Sequence, residues 1–509
     1  MIRWKTAAAT LIASALVLTA CSGGQDEQGG SAGGGDSSLT IGAITPPVTL
    51  DSAGAEWGNR APYYQAVYDT LLYADVNGEI QPWLATEWAY DDDMTELTLT
   101  LRDDVTFSDG SALTADVVAL NLERFRDGTA PGAGDLAGME SAEAPDDTTV
   151  VITLEARDPA FLDYLTRDAG LIASSEAIAN GDLETEPVGS GPYLYDAGAS
   201  VTGTSYAYTA NPDYWNPDAQ HYEELTIRVF EDPTAALNAI KANEADAVRL
   251  STNDNLEQVE AAGWTVNSNE LDFQGLLLLD RAGTDSEALG DVRVRQAINY
   301  AIDREAMLEA VQKGHGTVTT QVFPPTSDAY DEALDDAYPY DVERAQELMD
   351  EAGYSDGFTI SMPQSALLGT STYALIDQQL AEIGITIDYT DPGNNFIADL
   401  LAPKFPASYM ALEQNPDWQL VEFMLSPGAT FNPYGYEDET ASEMMSRIQL
   451  GDEAEQAAAA AELNAYIVEQ AWFAPFYRVE GIMASAPGTS VEMLPTNAYP
   501  SIFDIQPAE

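Results

Sequence analysis

Residues 225–248 read LTIRVFEDPTAALNAIKANEADAV, and this stretch sets the fold class. Leu225 to Phe230 is an apolar, β-branched run of strand type. Asp232-Pro233 then supplies a cap and a first-turn proline for a helix through Lys241. Ala247-Val248 opens a second strand. Strand, helix and strand in this order form a βαβ unit, which suits a parallel sheet.

The same alternation extends outward. Leu97, Leu99 and Leu101 are spaced as in a half-buried strand, and so are Val150, Ile152 and Leu154. Between them, Thr114 is placed to cap a helix carrying Val117, Val118, Leu122 and Phe125. Downstream, the spacing of Val294, Ile298, Ala301, Ile302, Leu308 and Val311 predicts one long helix over 291–313, stopped by Gly314. Further helices are expected over 341–352, 372–383 and 453–470. The chain is mixed α/β, with no internal repeat of fixed period and no loose linker after Ser38.

The 509 residues carry 85 acids against 20 bases, a formal net charge of −65. Such a surface repels phosphate backbones, so nucleic acid is not an expected partner. It also suits saline surroundings, where screening relieves self-repulsion. The single cysteine, Cys21, rules out an intrachain disulfide and a cysteine-based zinc site. His221 and His315 stand alone, each without another His or Cys nearby in the sequence, so no metal site is expected.

Residues 1–21 read as a targeting segment. Arg3 and Lys5 precede an apolar or small-residue run from Thr6 to Val17, too short to span a membrane. It ends in Leu18-Thr19-Ala20-Cys21, which resembles the bacterial lipobox, whose cysteine becomes the lipid-modified first residue. Residues 22–38 are rich in Gly and Ser, as in a flexible tether. These features predict secretion and a lipid anchor at the outer face of the cytoplasmic membrane.

Five further motifs follow in order. They are Leu101-Arg102-Asp103-Asp104-Val105-Thr106-Phe107-Ser108-Asp109-Gly110 with Leu113 to Val118, Gly189-Ser190-Gly191-Pro192-Tyr193, Asn211-Pro212-Asp213-Tyr214-Trp215, Asp291 through Arg304, and Tyr340-Asp341 through Tyr354. Together they resemble family 5 of the bacterial extracellular solute-binding proteins, the dipeptide, oligopeptide and nickel class. The resemblance implies a two-lobed clam-shell of the periplasmic-binding-protein type (class II, cluster C) with an extra inserted domain. Residues 39–60, 186–270 and 480–509 would form the first lobe, 61–185 the insert, and 271–479 the second lobe. Crossings near Leu271–Leu279 and Phe476–Gly481 would be the hinge. The expected partners are a peptide or other small solute and the permease subunits of an ABC importer. A monomer without cofactor is expected. The motifs themselves have plain structural readings as turns, tight loops and packing aromatics, so they identify the fold rather than the ligand.

For peptide-binding members, the resemblance places a Trp and an Asp in the second lobe, the Asp pairing with the peptide ammonium. Here the stretch is Ala411 to Trp418, and its order departs from the usual pattern. Glu413 or Asp417 could take the ammonium, with Trp418 beside them. Trp57, Tyr409, Tyr434 and Tyr436 are aromatic candidates for packing against a ligand, and Phe273 and Gln274 lie at the expected crossing. A sugar or a metal chelate is the alternative solute on the same fold. A secreted hydrolase is the rival class, but no G-x-S-x-G elbow, Walker loop or H-E-x-x-H occurs. Gly132, Gly134 and Gly138 are spaced one residue too far for a dinucleotide loop. No catalytic residue is assigned.

Overall fold

The strand–helix–strand read from residues 225–248 forms as Glu224–Val229, Pro233–Ala242 and Ala247–Leu250 in the computed structural model. The Asp232 carboxylate accepts from the N–H groups of Thr234 and Ala235 at 2.8 and 3.0 Å, which caps the helix. The two strands are not neighbours. Ser38–Ala43 lies between them and pairs in parallel with both. The structure describes residues 38–415, 417–495 and 497–508. The expected targeting segment, Cys21 and the tether up to residue 37 lie outside the described residues. Ser38, read as the last tether residue, already pairs with Glu224 in the sheet.

These strands belong to a nine-stranded mixed sheet. Its most extended members are the antiparallel strands Thr265–Leu278 and Phe473–Ser485, paired from Thr265 and Ser485 to Leu277 and Phe473. At one end they contribute Leu271 and Met483 to the core around Ile41, Tyr63, Tyr208 and Ile227. At the other end they contribute Leu278 and Phe476 to a separate core with Ile298 and Ile376. The expected crossings are therefore two paired strands, not coil. Two register slips interrupt them. Leu271 is left unpaired between Glu270 and Asp272, and a second slip falls between Gln274 and Gly275. Bulges of this kind bend and twist a ladder locally. Gly275 is needed at the second, because a Cβ there would lie 2.5 Å from Pro475 Cα.

Within the 61–185 segment, Ala85–Tyr90, Glu96–Leu101, Thr149–Leu154 and Met139–Asp146 form an antiparallel sheet. Helix Ala115–Arg126 covers it with Val118, Leu122 and Phe125. Thr114 takes the cap position, but its hydroxyl makes no capping bond. The Ala115 N–H instead donates to Asp147 O at 2.9 Å, so the neighbouring hairpin anchors the helix start. This segment also touches the second half of the chain. Arg157 donates to Gly451 O at 2.8 Å, and Gln449 donates to Arg157 O at 2.9 Å.

The long helix expected over 291–313 is two helices, Val292–Ala301 and Arg304–Gln312. Ile302 turns to extended backbone, and Asp303 caps the second helix by accepting from the Ala306 N–H at 3.0 Å. The break turns Arg304 inward. Its guanidinium donates to Pro475 O, Asn299 O and Tyr338 O at 2.8, 3.0 and 3.0 Å. Arg295 likewise donates to Leu289 O and Gln470 O, and Asn299 to Phe473 O. The Asp291–Arg304 motif is thus a set of buried donors that gathers backbone carbonyls around the start of strand Phe473–Ser485. Each such bond satisfies an acceptor that would otherwise be costly to bury.

Two other motifs converge on Asp69, which is 2% exposed. Its carboxylate accepts from Ser190 Oγ at 2.7 Å, from the indole N–H groups of Trp83 and Trp215 at 2.8 and 2.9 Å, and from Tyr214 OH at 3.1 Å. Gly189 and Gly191 flank Ser190 because that loop presses on Val67. A Cβ would lie 2.2 Å from Val67 O at Gly189 and 2.5 Å from Val67 C at Gly191. These motifs are scaffold around one buried acid.

Candidate functional site

The two halves of the sheet and the 131–168 stretch enclose a cavity of about 840 Å³. Strand Thr265–Leu278 contributes Leu271 and Asp272, and strand Ala407–Glu413 contributes its last residue. The opposite walls are the loop 56–59, Arg249 and the 131–168 stretch with Asp135, Tyr164, Arg167 and Asp168. A short helical segment, Asp417–Leu425, adds Gln419 and Glu422. Gly132 lets the 131–136 turn close onto Asp168, since a Cβ there would lie 2.9 Å from Asp168 Oδ2.

Seven carboxylates and two guanidinium groups line the cavity. Asp272 and Glu413 stand directly opposite on paired strands, a like-charge pairing that opposes the ladder. Neither side chain accepts a hydrogen bond or joins an ion pair among the described residues. Burial pushes Glu413 up to about 7, with Asp272 adding to the rise and Arg167 opposing it. Burial likewise raises Asp272 to about 6, against the pull of Arg249. Asp168 is held at about 7, again mainly by burial. Burial would lower Arg167, but Glu413, Asp135, Asp163 and Asp168 outweigh it and hold the guanidinium above its ordinary range. Its side chain also makes no hydrogen bond or ion pair among the described residues. Arg249 donates to Leu250 O and Ile482 O at 3.1 and 3.0 Å and meets no carboxylate in an ion pair among the described residues.

Charged groups of both signs thus share one space, and among the described residues Asp272, Glu413 and Arg167 stand there without a bonded side-chain partner, whereas Glu56 pairs with Arg60, Glu480 lies beside His315 and Glu422 accepts from Tyr164. They can receive a solute that brings its own charges, above all a cation, because the carboxylates outnumber the guanidiniums. No group of three His, Cys, Asp or Glu side chains suited to a metal ion occurs among the described residues. His315 Nδ1 lies 3.6 Å from Glu480 Oε2 at the cavity wall.

The raised carboxylates make stability depend on pH in a definite direction. Between their unfolded values near 4 and their folded values of about 6 to 7, the folded state holds more protons than the unfolded chain. Stability therefore falls as pH rises through that window. Scanning calorimetry of the solute-free protein should show a melting temperature that drops from pH 5 to pH 8, with a shallower drop in Glu413→Gln. A slope unaffected by that substitution would show that Glu413 does not titrate in this range.

Of the residues singled out in the sequence, Trp57 and Glu413 line the cavity. The others lie elsewhere. Phe273 is fully buried and packs edge-on against Phe473. Gln274 accepts from the hydroxyls of Tyr409 and Tyr477, both at 2.9 Å, so Tyr409 belongs to that network and to the second core. Asp417 accepts from Ser327 Oγ, and Trp418 packs into the core. Tyr434 donates to Asp285 at 2.8 Å, and Tyr436 lies edge-on to Trp472. The charged cavity residues without a sequence signal are Glu56, Asp135, Asp168, Asp272, Glu422, Glu480, Arg167 and Arg249.

A cavity enclosed between two halves joined by paired strands defines a solute-binding protein of the clam-shell class. The chain belongs to the bacterial extracellular solute-binding proteins, family 5, whose middle region matches residues 79–436. It is 29% identical over 391 residues to the heme-binding protein A of Haemophilus influenzae, covering 69% of each chain. It is also 29% identical over 352 residues to the glutathione-binding protein GsiB of Salmonella typhi, covering 66% of each. The matches thus span about two thirds of the length of these relatives. The periplasmic binding protein DppA from Helicobacter pylori, solved in complex with the peptide STSA, shares the fold. The TM-score is 0.77 at 22% identity, over 93% of this chain and 98% of that one. Family members are binding proteins of ABC importers rather than enzymes.

Proposed function

We propose that this protein is the extracellular substrate-binding lipoprotein of an ABC importer, and that it captures a peptide through its free ammonium group. The first lobe is residues 39–60, 186–270 and 480–509, the insert 61–185, and the second lobe 271–479. Cys21 carries the lipid that holds a monomer at the outer face of the cytoplasmic membrane. The observation that carries the peptide reading is the Asp272–Glu413 pair, two facing carboxylates at the cavity that no cation meets in an ion pair or hydrogen bond among the described residues, although Arg249 and Arg167 act on them from a distance. A peptide ammonium placed between them supplies the missing charge and several donors. Arg167 and Arg249, equally unpaired, suit the solute's acidic or carbonyl oxygens. The peptide held by DppA and the glutathione named for GsiB lend support by kinship.

Binding closes the lobes, because the charged walls come from both halves and gain most when a solute bridges them. Isothermal titration with a tetrapeptide library identifies a binder, and small-angle scattering then reads the shape. The radius of gyration should fall on addition of that peptide at one-to-one stoichiometry. An unchanged radius with saturating, calorimetrically confirmed peptide would sink the closure mechanism. Absence of any peptide binder would sink the peptide reading.

A further inference from the structure

The charges lining the main cavity stay out of balance even after the proposed ammonium is counted. Of its seven carboxylates, Glu56 pairs with Arg60 and Glu480 lies beside His315. Five remain, against the guanidiniums of Arg167 and Arg249. One ammonium at Asp272 and Glu413 still leaves two negative charges in an enclosed space. Elsewhere on this acidic chain such an excess is solvated, but here it faces inward, where burial is costly.

The excess centres on the wall formed by the 131–168 stretch. Asp168 is 7% exposed and lines the cavity, yet its side chain accepts no hydrogen bond from another residue and joins no ion pair among the described residues. Asp135 lines the same wall and is likewise without a bonded partner among the described residues. Gly132, with no Cβ, lets the turn that carries Asp135 lie against the Asp168 carboxylate. Burial raises both acids, and Asp135 adds to the rise of Asp168. Arg167 opposes both shifts, but it also acts on Glu413 and Asp163, so one guanidinium is shared among four acids.

We infer that the solute carries a second positive group, of the lysine or arginine side-chain kind, and that Asp168 and Asp135 receive it. A buried carboxylate without donors gains most from a partner that brings both charge and N–H groups. No group of three His, Cys, Asp or Glu side chains suited to a metal ion occurs among the described residues, so the geometry favours an organic cation. Trp57 and Tyr164 line the same cavity and offer apolar surface to the methylene stem of such a side chain. Asp135 also acts on Glu413, so one small solute can span from one acid pair to the other. The solute class is then a basic peptide. The peptide frame rests on the proposed function, whereas the Asp135–Asp168 pair does not.

The test separates the two. At pH 8, where Asp168 is ionised, and at fixed ionic strength, isothermal titration compares trialanine carrying one lysine at each position in turn with the same peptides carrying norleucine. The best lysine peptide should bind at least about 10-fold more tightly than its norleucine counterpart. That ratio should fall towards one in Asp168→Asn, and in Asp135→Asn, which covers the case that the first variant does not fold. It should persist in Glu257→Gln, which removes one exposed charge outside the cavity. Equal binding of the lysine and norleucine peptides overturns the inference. So does a ratio that survives both variants, or one that falls as far in Glu257→Gln. If no peptide binds, cadaverine is titrated instead. Cadaverine binding weakened by about 5-fold or more in Asp168→Asn upholds the acid pair and removes the peptide. Cadaverine that binds as well there, or that does not bind the wild type, overturns the acid pair too.

Discussion

Replacing Asp272 with Asn and Glu413 with Gln together should weaken peptide binding by about 100-fold or more, and at the same time raise the melting temperature of the solute-free protein at pH 8. The loss follows from charge-assisted hydrogen bonds, each contributing roughly 1.5–3 kcal/mol, of which two or more would go with the double substitution. The gain follows from the same geometry. At pH 8 the two carboxylates are ionised, face one another across paired strands and have no cation bonded to them among the described residues. Amides of the same shape relieve the repulsion and the burial of charge. The opposite signs are what make the experiment decisive. Calorimetric affinity unchanged in the double variant would remove these residues from the site. Affinity and stability falling together would mean that the pair supports the fold instead.

The second large effect lies away from the cavity mouth. Asp69→Ala should cost about 4 kcal/mol of unfolding free energy or more, read from urea denaturation followed by tryptophan fluorescence. The substitution strands Trp83, Ser190, Tyr214 and Trp215, four donors from three separate stretches of the chain. Removing an acceptor from a buried network costs the desolvation of each donor left behind. Asp69→Asn should fall between, because its Oδ1 still accepts while its NH₂ meets two opposing donors. A loss below about 1 kcal/mol for the alanine variant would show that the cage does not bind these stretches together.

Much of the architecture is legible in the sequence because it is written locally. The cap at Asp232 and the alternation at Leu97–Leu101 act within a few residues, and the structure follows them. The helix read over 291–313 shows the limit. Its apolar spacing persists through Ile302, but Arg304 must reach carbonyls on three other segments, and Asp303 recaps the chain so that it can. The site is less legible for a geometric reason. Phe273 and Gln274 lie on the right strand, yet a bulge at Leu271 brings Asp272 to the cavity, while Phe273 faces the core. Its partner Glu413 stands out because it lies in the stretch where the family resemblance places an acid and a Trp, although the order there departs from the usual pattern. Asp135 and Asp168 could not stand out among 85 acids. Arg167 and Arg249 could have, since bases are scarce here and an arginine spared from ion pairing is worth noticing.

On the proposed function, the bulge at Leu271 would also fix where a bound solute is moored. It lies where the two long strands pass from one core to the other, so rotation of the lobes would be centred beside it. Points near a pivot hardly travel. Asp272 and its neighbour Glu413 would stay almost still while the wall carrying Asp135 and Arg167 sweeps away. Opening would then unfasten the far end of the cargo first and leave its ammonium tethered at the pivot until last. Such a carrier would hand over its load by peeling rather than by dropping it, and the grip at the pivot, not the width of the mouth, would set how long the cargo lingers.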